Sequence, residues 1–201
     1  MKTSIKTLFA TALTVIALTS SAFSSFAHDG EKNQKVAATA MNINMVTIKG
    51  DVDVYLVKSD KEDIKIISSS VEDPAVRIEK KGPKLFITGA ENERVTMYVY
   101  VKDLRRIEAW NTSNVKTQGA FDLNALQVLL HDNAKANLNV NTKSLYTVIK
   151  DEASLKLSGK TDAHDVSRSE YATLKMHKFN AGRTQGLTIA PVYATAIAKR
   201  N

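Results

Sequence analysis

Apolar and polar residues alternate along most of the chain after residue 46. In the stretch 48–56 (IKGDVDVYL), apolar residues or glycine at even positions alternate with polar residues or tyrosine at odd positions. The same alternation recurs over 95–101 (VTMYVYV). Period-two alternation predicts half-buried β-strands, because successive side chains point to opposite faces of a strand. Gly, Pro, Asp, Asn and Ser separate these stretches and no long helical pattern follows, so we predict an all-β fold.

The second half of the chain contains an internal repeat with a step of nineteen residues. The segment 113–119 aligns in turn with 132–138, 151–157 and 170–176. A fixed period near twenty with alternating strands is typical of a β-solenoid, in which each coil is too short to bury its own apolar face. The sequence therefore predicts a single solenoid-like domain whose coils of about 19 residues stack on one another.

The alignment places equivalent residues in columns, one strand spacing or roughly 4.8 Å apart. A slim column, expected at a tight inward turn, contains Val115, Ala134, Ala153 and Ala172. A mostly large and apolar column, expected in the core, contains Gly119, Leu138, Leu157 and Met176. A mostly acidic column contains Ser113, Asp132, Asp151 and Glu170.

The order of these segments resembles the GIN-domain family, the auto-transporter adhesin head domains of Bacteroidetes-type bacteria. The resemblance extends from about 46 to 189 and rests on IKGDVDVYL at 48–56, GPKLFI at 82–87, the strand at 95–101 and the short coils that follow. It implies a fold similar to right-handed parallel β-helices and an exported protein with a leader. It supplies no catalytic or binding residue.

The first 27 residues have the form of a cleavable signal peptide. A short basic region, 1–6, precedes an apolar run of eleven residues, 8–18. Small residues at the last and third-last positions predict cleavage between Ala27 and His28. The apolar run is shorter than the roughly 20 residues that span a bilayer, although a retained membrane anchor is the alternative. No later apolar run of spanning length is present, so no transmembrane segment is expected in the mature chain.

Composition narrows the class of protein further. The chain has no cysteine, which excludes a disulfide framework and a lipoprotein anchor. Loss of the leader removes Lys2 and Lys6, which leaves 26 basic and 21 acidic residues, a mild and interspersed excess that does not indicate a nucleic-acid partner. The expected organisation is a signal peptide at 1–27, a flexible N-terminal tail at 28–36 and a GIN-like β-solenoid domain at 37–201.

Exposed aromatic residues form the candidate binding surface. Tyr98 and Tyr100 differ by two positions and so share the polar face of their strand, on which Tyr55 also lies in its own strand. With Lys102 they would form a flat surface for contact with a glycan or a protein. The alternative is that this face packs under the N-terminal tail or under another sheet.

The acidic column is the candidate cation site. Stacked oxygens of Asp132, Asp151 and Glu170 could hold Ca²⁺, but one side chain per coil leaves the ion poorly coordinated. We therefore predict turn residues that cap backbone N–H groups and hold no tightly bound metal. His131 and His164 fall at different phases of the repeat, as does His177, which argues against one histidine ladder.

No catalytic motif is present: there is no G-x-S-x-G, no H-E-x-x-H and no P-loop, and a cysteine nucleophile is excluded. The sequence therefore predicts an exported, non-catalytic, adhesin-like binding module of the periplasm or cell surface, without a cofactor. Its partner is an envelope glycan or protein of unknown identity, and its oligomeric state stays open. The alternatives are a structural or stress-related envelope protein and a small carbohydrate-active enzyme with paired carboxylates.

Overall fold

The computed structural model describes residues 33–35, 42–67, 76–90 and 93–189. These residues form thirteen strands in one curled half-barrel sheet of mixed parallel and antiparallel pairs, and no helix occurs among them. The all-β prediction is confirmed. In chain order the strands are β1 Asn33–Lys35, β2 Met45–Lys49, β3 Val52–Lys58, β4 Asp63–Ile67, β5 Val76–Lys81, β6 Lys84–Gly89, β7 Val95–Val101, β8 Arg106–Ala109, β9 Asn114–Gln118, β10 Phe121–Leu130, β11 Lys135–Ile149, β12 Ser154–Ser169 and β13 Thr173–Ile189.

The strands form two rows that meet in the long strands of the second half. The first row runs β1, β4, β7, β3, β9 and continues through the N-terminal halves of β11, β12 and β13. The second row runs β5, β6, β2, β8, β10 and continues through the C-terminal halves of the same three strands. Pairing is parallel throughout, except where β1, β4 and β5 add antiparallel strands at the ends of the rows.

The register of the long strands confirms the repeat over two steps. Partners lie nineteen residues apart between β10 and β11, and again between β11 and β12, where Leu138 is opposite Leu157. These two leucines are 0% and 1% exposed, as a core column requires. In the step from β12 to β13 the offset changes to twenty after an irregularity between Lys156 and Ser158.

The first step is different, and the predicted alignment there is wrong by two residues. Asn114 is opposite Lys135 and Ile107 is opposite Val128, an offset of 21. The two additional residues lie between β9 and β10, where Gly119 has a φ of +84°. An insertion of two keeps apolar and polar positions in phase, and for that reason the sequence pattern did not show it.

The offset of 21 residues changes the first member of each predicted column. Ser113, whose carbonyl accepts the N–H of Lys135, takes the place assigned to Val115 and is fully buried. By the same offset of 21, Thr117 takes the place of Gly119 beside Leu138. Asn111 replaces Ser113 at the head of the acidic column. The buried small residues of the following coils, Ala134, Ala153 and Ala172, are placed as predicted.

Of the stretch interpreted as an N-terminal tail, the described residues Asn33–Lys35 form β1 and pair antiparallel with β4. The predicted signal peptide, its cleavage position and the remainder of the tail lie outside the described residues. Within the described part of the chain, no helix is long and apolar enough to cross a membrane.

Candidate functional site

One corner of the sheet is built from turn residues in the left-handed conformation. Asn111, Asp132 and Asp151 have φ values of 58°, 56° and 53°, and Gly50, the equivalent residue of an earlier strand pair, has a φ of 83°. Asn and Asp tolerate this region better than other residues with a side chain. Each of the three polar residues lies in a turn closed by a backbone hydrogen bond, such as that from the N–H of Ala134 to the carbonyl of His131.

The side chains of these turn residues link one coil to the next. Asn111 Oδ1 accepts the N–H of Gly50 at 3.2 Å, and Asp132 Oδ2 accepts the N–H of Asn111 at 2.9 Å. Asp151 Oδ2 in turn accepts the N–H of Asp132 at 3.0 Å. The prediction of a turn role is therefore confirmed for Asp132 and Asp151, although the N–H that each carboxylate satisfies belongs to the preceding coil rather than to its own turn.

These backbone hydrogen bonds engage carboxylate oxygens of the candidate cation site. Asp132 and Asp151 each have one oxygen directed at a backbone N–H, while Glu170 lies exposed at the last turn of the column. The described ranges contain no group of three or more His, Cys, Asp or Glu residues with the geometry of a metal site. That the column holds no tightly bound Ca²⁺ stays a prediction, which calorimetric titration of chelator-treated protein would check.

The histidines occupy three separate environments. His131 stacks on Trp110 with ring centroids 3.6 Å apart, and burial together with Lys150 lowers its pKa despite nearby carboxylates. His164 is fully buried, with Nε2 at 2.9 Å from the hydroxyl of Thr147, and burial lowers its pKa as well. His177 is exposed. These residues do not converge on one site.

The predicted tyrosines share the outer face of the first row, and two of their rings stack on each other. Tyr98 is opposite Tyr55, and their rings stack with centroids 5.0 Å apart at an interplanar angle of 18°. Because neighbouring strands are roughly 4.8 Å apart, rings stacked at this distance turn their faces toward each other and their edges outward. The surface therefore presents ring edges and hydroxyl groups.

Lysines border these rings. Lys116 Nζ lies 5.4 Å from the centroid of Tyr55, and Lys65 Nζ lies 5.0 Å from the centroid of Tyr100. Both distances are within the range of cation–π attraction. Lys102 lies just beyond the end of β7 and is exposed, with Nζ 3.8 Å from Asp60 Oδ1. Tyr98 and Tyr100 are half-buried, so the surface is accessible in part.

The outer face of the first row continues across β11, β12 and β13 as a line of lysines. The sequence pattern did not reveal this line. Lys116 is opposite Asn137, which is opposite Lys156, which is opposite Lys175. We use the name lysine strip for the outward lysines of β9 and of the N-terminal halves of β11 to β13, which are Lys116, Lys135, Lys156, Lys175 and Lys178. Four of these five lysines recur along the sequence at steps of 19, 21 and 19 residues. This spacing is the only sequence signal that could have revealed the strip.

A shallow depression lies where the long strands bend from the first row to the second. Asp122 and Asp162 are among its lining residues, with Lys143 and Lys160. Asp122 Oδ1 accepts a hydrogen bond from the side-chain amide of Asn141 at 2.8 Å. The depression is open to solvent, unlike the water-excluding clefts in which paired carboxylates usually act. It therefore adds no support for the carbohydrate-active enzyme that the sequence left as an alternative.

Comparison with protein families gives one assignment. The family model described as "Putative auto-transporter adhesin, head GIN domain" matches residues 42–187. The chain belongs to the head GIN domain family. The resemblance inferred from the sequence is thereby confirmed over most of the chain, and the membership favours a non-enzymatic protein of the envelope or cell surface. No curated protein matches the chain.

Solved structures share the GIN-domain fold at low sequence identity. A putative adhesin from Bacteroides fragilis is 12% identical with a TM-score of 0.67, and the match covers 81% of this chain and 78% of that one. A putative adhesin from Parabacteroides distasonis is 16% identical with a TM-score of 0.62, over 80% and 79% of the two chains. A putative lipid binding protein from the same species is 12% identical with a TM-score of 0.57, over the same shares. These likenesses support the fold alone.

Proposed function

We propose that this GIN-domain protein is an exported, non-catalytic binding module of the cell envelope that acts as an adhesin. One observation carries the proposal: the outer face of the first row presents tyrosine hydroxyls and lysine ammonium groups on strands paired on both sides. Such a backbone holds contact groups in fixed positions, which lowers the entropy cost of binding. Family membership agrees with this role, since the family is described as an adhesin head domain.

We also propose that the chain is exported and that its strands wind as a solenoid. The apolar run at 8–18 and the small residues before His28 support a cleaved signal peptide and a mature chain in the periplasm or at the cell surface. Successive parallel offsets of 21, 19 and 19 to 20 residues support coils that wind as a β-solenoid, and the right hand of the winding is what the family resemblance implies. N-terminal sequencing of the exported protein should give His28 as the first residue, and Met1 would contradict the leader.

The proposed contact surface is centred on Tyr98 and Tyr100, with Lys102 at its margin. Tyr98 is held by Tyr55 on one side and by Lys65, its partner in β4, on the other. Tyrosine is well suited to such a role, because it offers a large amphipathic contact area at a small entropy cost. The ring edges and hydroxyls favour hydrogen bonding over stacking, and the ligand is therefore expected to carry many polar groups.

The test is a binding panel of glycans, matrix proteins and envelope polysaccharides, combined with an assay for turnover of each polysaccharide. We expect saturable binding to one or more members without any loss of polymer length. Tyr98→Ala with Tyr100→Ala should weaken this binding, while Tyr146→Ala, at an exposed position on the second row, should not. The melting temperature of each variant shows whether the fold has survived the substitution.

Two outcomes would contradict the proposal. Hydrolysis or lyase activity on any polysaccharide of the panel would place the protein among carbohydrate-active enzymes. Failure to bind any member, by a protein that is folded and exported, would favour a structural or stress-related role in the envelope. Proteolysis of whole cells then separates a surface protein from a periplasmic one, because only a surface protein is cut while the cells remain intact.

A further inference from the structure

We propose that the lysine strip binds an acidic polysaccharide, a linear chain of carboxylated or sulfated sugars that lies across the strands. This inference rests on the proposed function and names the class of ligand. The strip begins beside the tyrosines, where Lys116 borders Tyr55, and it ends on β13 with Lys175 and Lys178. One continuous face thus combines hydroxyl donors with a line of positive charge.

The spacing of the strip fits a linear polyanion. Lys156 and Lys175 are direct partners on neighbouring parallel strands, and Asn137 separates Lys156 from Lys116. Positive charges therefore recur at one or two strand spacings, at intervals of roughly 5 to 10 Å. Like charges on adjacent strands destabilise the sheet, and an anion between them removes that repulsion. A chain with a negative charge on successive sugars would satisfy each position in turn.

The strip is free of competing carboxylates. The strand segments that carry it, 114–118, 135–140, 154–159 and 173–178, contain no acidic residue. The ion pairs found between residues of the described ranges involve none of the five lysines. Most outward residues between them are amides and hydroxyls, which can hydrogen-bond to sugar hydroxyls; they are Asn137, Asn139, Ser154, Ser158 and Thr173, and the exposed His177 lies between Lys175 and Lys178.

The chemistry of this face favours a polysaccharide over other polyanions. Proteins that bind single-stranded nucleic acid offer aromatic faces on which bases stack, whereas Tyr55 and Tyr98 use their faces on each other. Proteins that lie on anionic membranes insert large apolar side chains beside their basic residues. The outward positions between the lysines are polar, so the strip lacks the apolar side chains that binding to a membrane surface requires.

Affinity electrophoresis of the exported protein in gels that contain polygalacturonate tests the inference, with neutral dextran as the reference polymer. We expect retardation by polygalacturonate, none by dextran, and a loss of retardation as the salt concentration rises. Lys156→Gln with Lys175→Gln should weaken binding about tenfold, because two screened contacts are lost. Lys143→Gln with Lys150→Gln removes the same charge from exposed lysines outside the strip and should leave binding unchanged.

Equal weakening by the two double variants would overturn the inference, because it would show an effect of net charge alone. Binding to vesicles with phosphatidylglycerol or to DNA, without binding to polygalacturonate or to a sulfated glycan, would overturn it as well. These results are separable from failure of the proposed function. If a protein or neutral glycan of the panel binds through Tyr98 while acidic polysaccharides do not, the binding role stands and only the class of ligand is wrong.

Discussion

Each turn residue at the corner of the sheet must meet two requirements, because it adopts a positive φ and also accepts a hydrogen bond from a backbone N–H of the preceding coil. Asp132 and Asp151 meet both requirements, and Asn111 does so without a charge. The sequence predicted turn residues here from their type. It could not show which N–H they satisfy, because that depends on the register between coils.

Substitutions at Asp151 separate these two tasks. Asp151→Asn keeps the conformation and an acceptor, and it should change the free energy of unfolding by less than about 0.5 kcal/mol. Asp151→Gly keeps the conformation alone and should cost about 1 kcal/mol through the unsatisfied N–H of Asp132. Asp151→Val loses both and should cost about 2–4 kcal/mol. Urea denaturation measures all three, and equal effects of Asn and Val would refute the account of the corner.

Buried His164 should make stability depend on pH. Burial lowers its pKa in the folded protein below the ordinary value of 6.5, so above pH 6.5 it is neutral in both states and its contribution is complete. As the pH falls below 6.5, the unfolded chain takes up the proton first, and the free energy of unfolding decreases until the pH reaches the lowered pKa. We expect the melting temperature to fall between pH 7.5 and 5.5.

His164→Gln removes this titration while it retains a partner for the hydroxyl of Thr147. The slope of melting temperature against pH should therefore be smaller in the variant, whatever its absolute stability. His131, whose pKa is also lowered, contributes in the same direction, and His131→Gln measures its share. A slope that is unchanged when both histidines are replaced would show that other groups cause the dependence.

At the scale of strands, the sequence predicted the alternation, the step of nineteen and the buried leucine column, because burial on one face dictates residue type. It missed the two inserted residues, Gly119 and Ala120, because an even insertion leaves the alternation intact. It also missed the lysine strip, because outward residues tolerate almost any polar type and only the correct register aligns them. The sequence pattern thus predicted which residues are buried. The residues opposite them on neighbouring strands could be identified only from the structure.

Gly50 tests how closely the strands approach at the corner, and Gly82, in the turn between β5 and β6, is the control. A Cβ on Gly50 would lie 2.2 Å from the carbonyl oxygen of Gly89, and its φ is +83°. Gly50→Ala should therefore cost about 3 kcal/mol or more, from overlap with backbone and from conformation together. Gly82 has a φ of +58° and open space around it, so Gly82→Ala should cost only about 1 kcal/mol. Similar losses for both would contradict the close approach of Gly50 and Gly89.

The register of the coils is tested by neighbouring residues of β12. Leu157 is 1% exposed and opposite Leu138, so Leu157→Asp places a charge in the core and should cost on the order of 4 kcal/mol. Lys156 points outward, and Lys156→Glu should change the free energy of unfolding by less than about 0.5 kcal/mol. If Leu157→Asp melted like the parent while Lys156→Glu unfolded the protein, the inner and outer faces would have been exchanged.

In the molecule as a whole, the residues that stabilise the fold and the residues proposed to bind a ligand lie on different faces of the sheet. The inner face of the coils is packed with aliphatic residues, while the outer face of the first row carries tyrosines at one end and lysines at the other. The depression lined by Asp122 and Asp162 is open to solvent, and the carboxylates of Asp132 and Asp151 accept backbone N–H groups. This separation of the packed face from the polar face supports the binding role proposed above.

This binding role is tested most sharply by an NMR titration of the isotope-labelled protein with oligogalacturonate. We expect saturable shift changes for Lys116, Lys156 and Lys175 and for the neighbouring Tyr55, while the signals of the oligosaccharide show no new reducing ends. Shift changes confined to the second row, around Trp110 and Tyr146, would contradict the assigned surface. New reducing ends that increase with time would contradict a non-catalytic role.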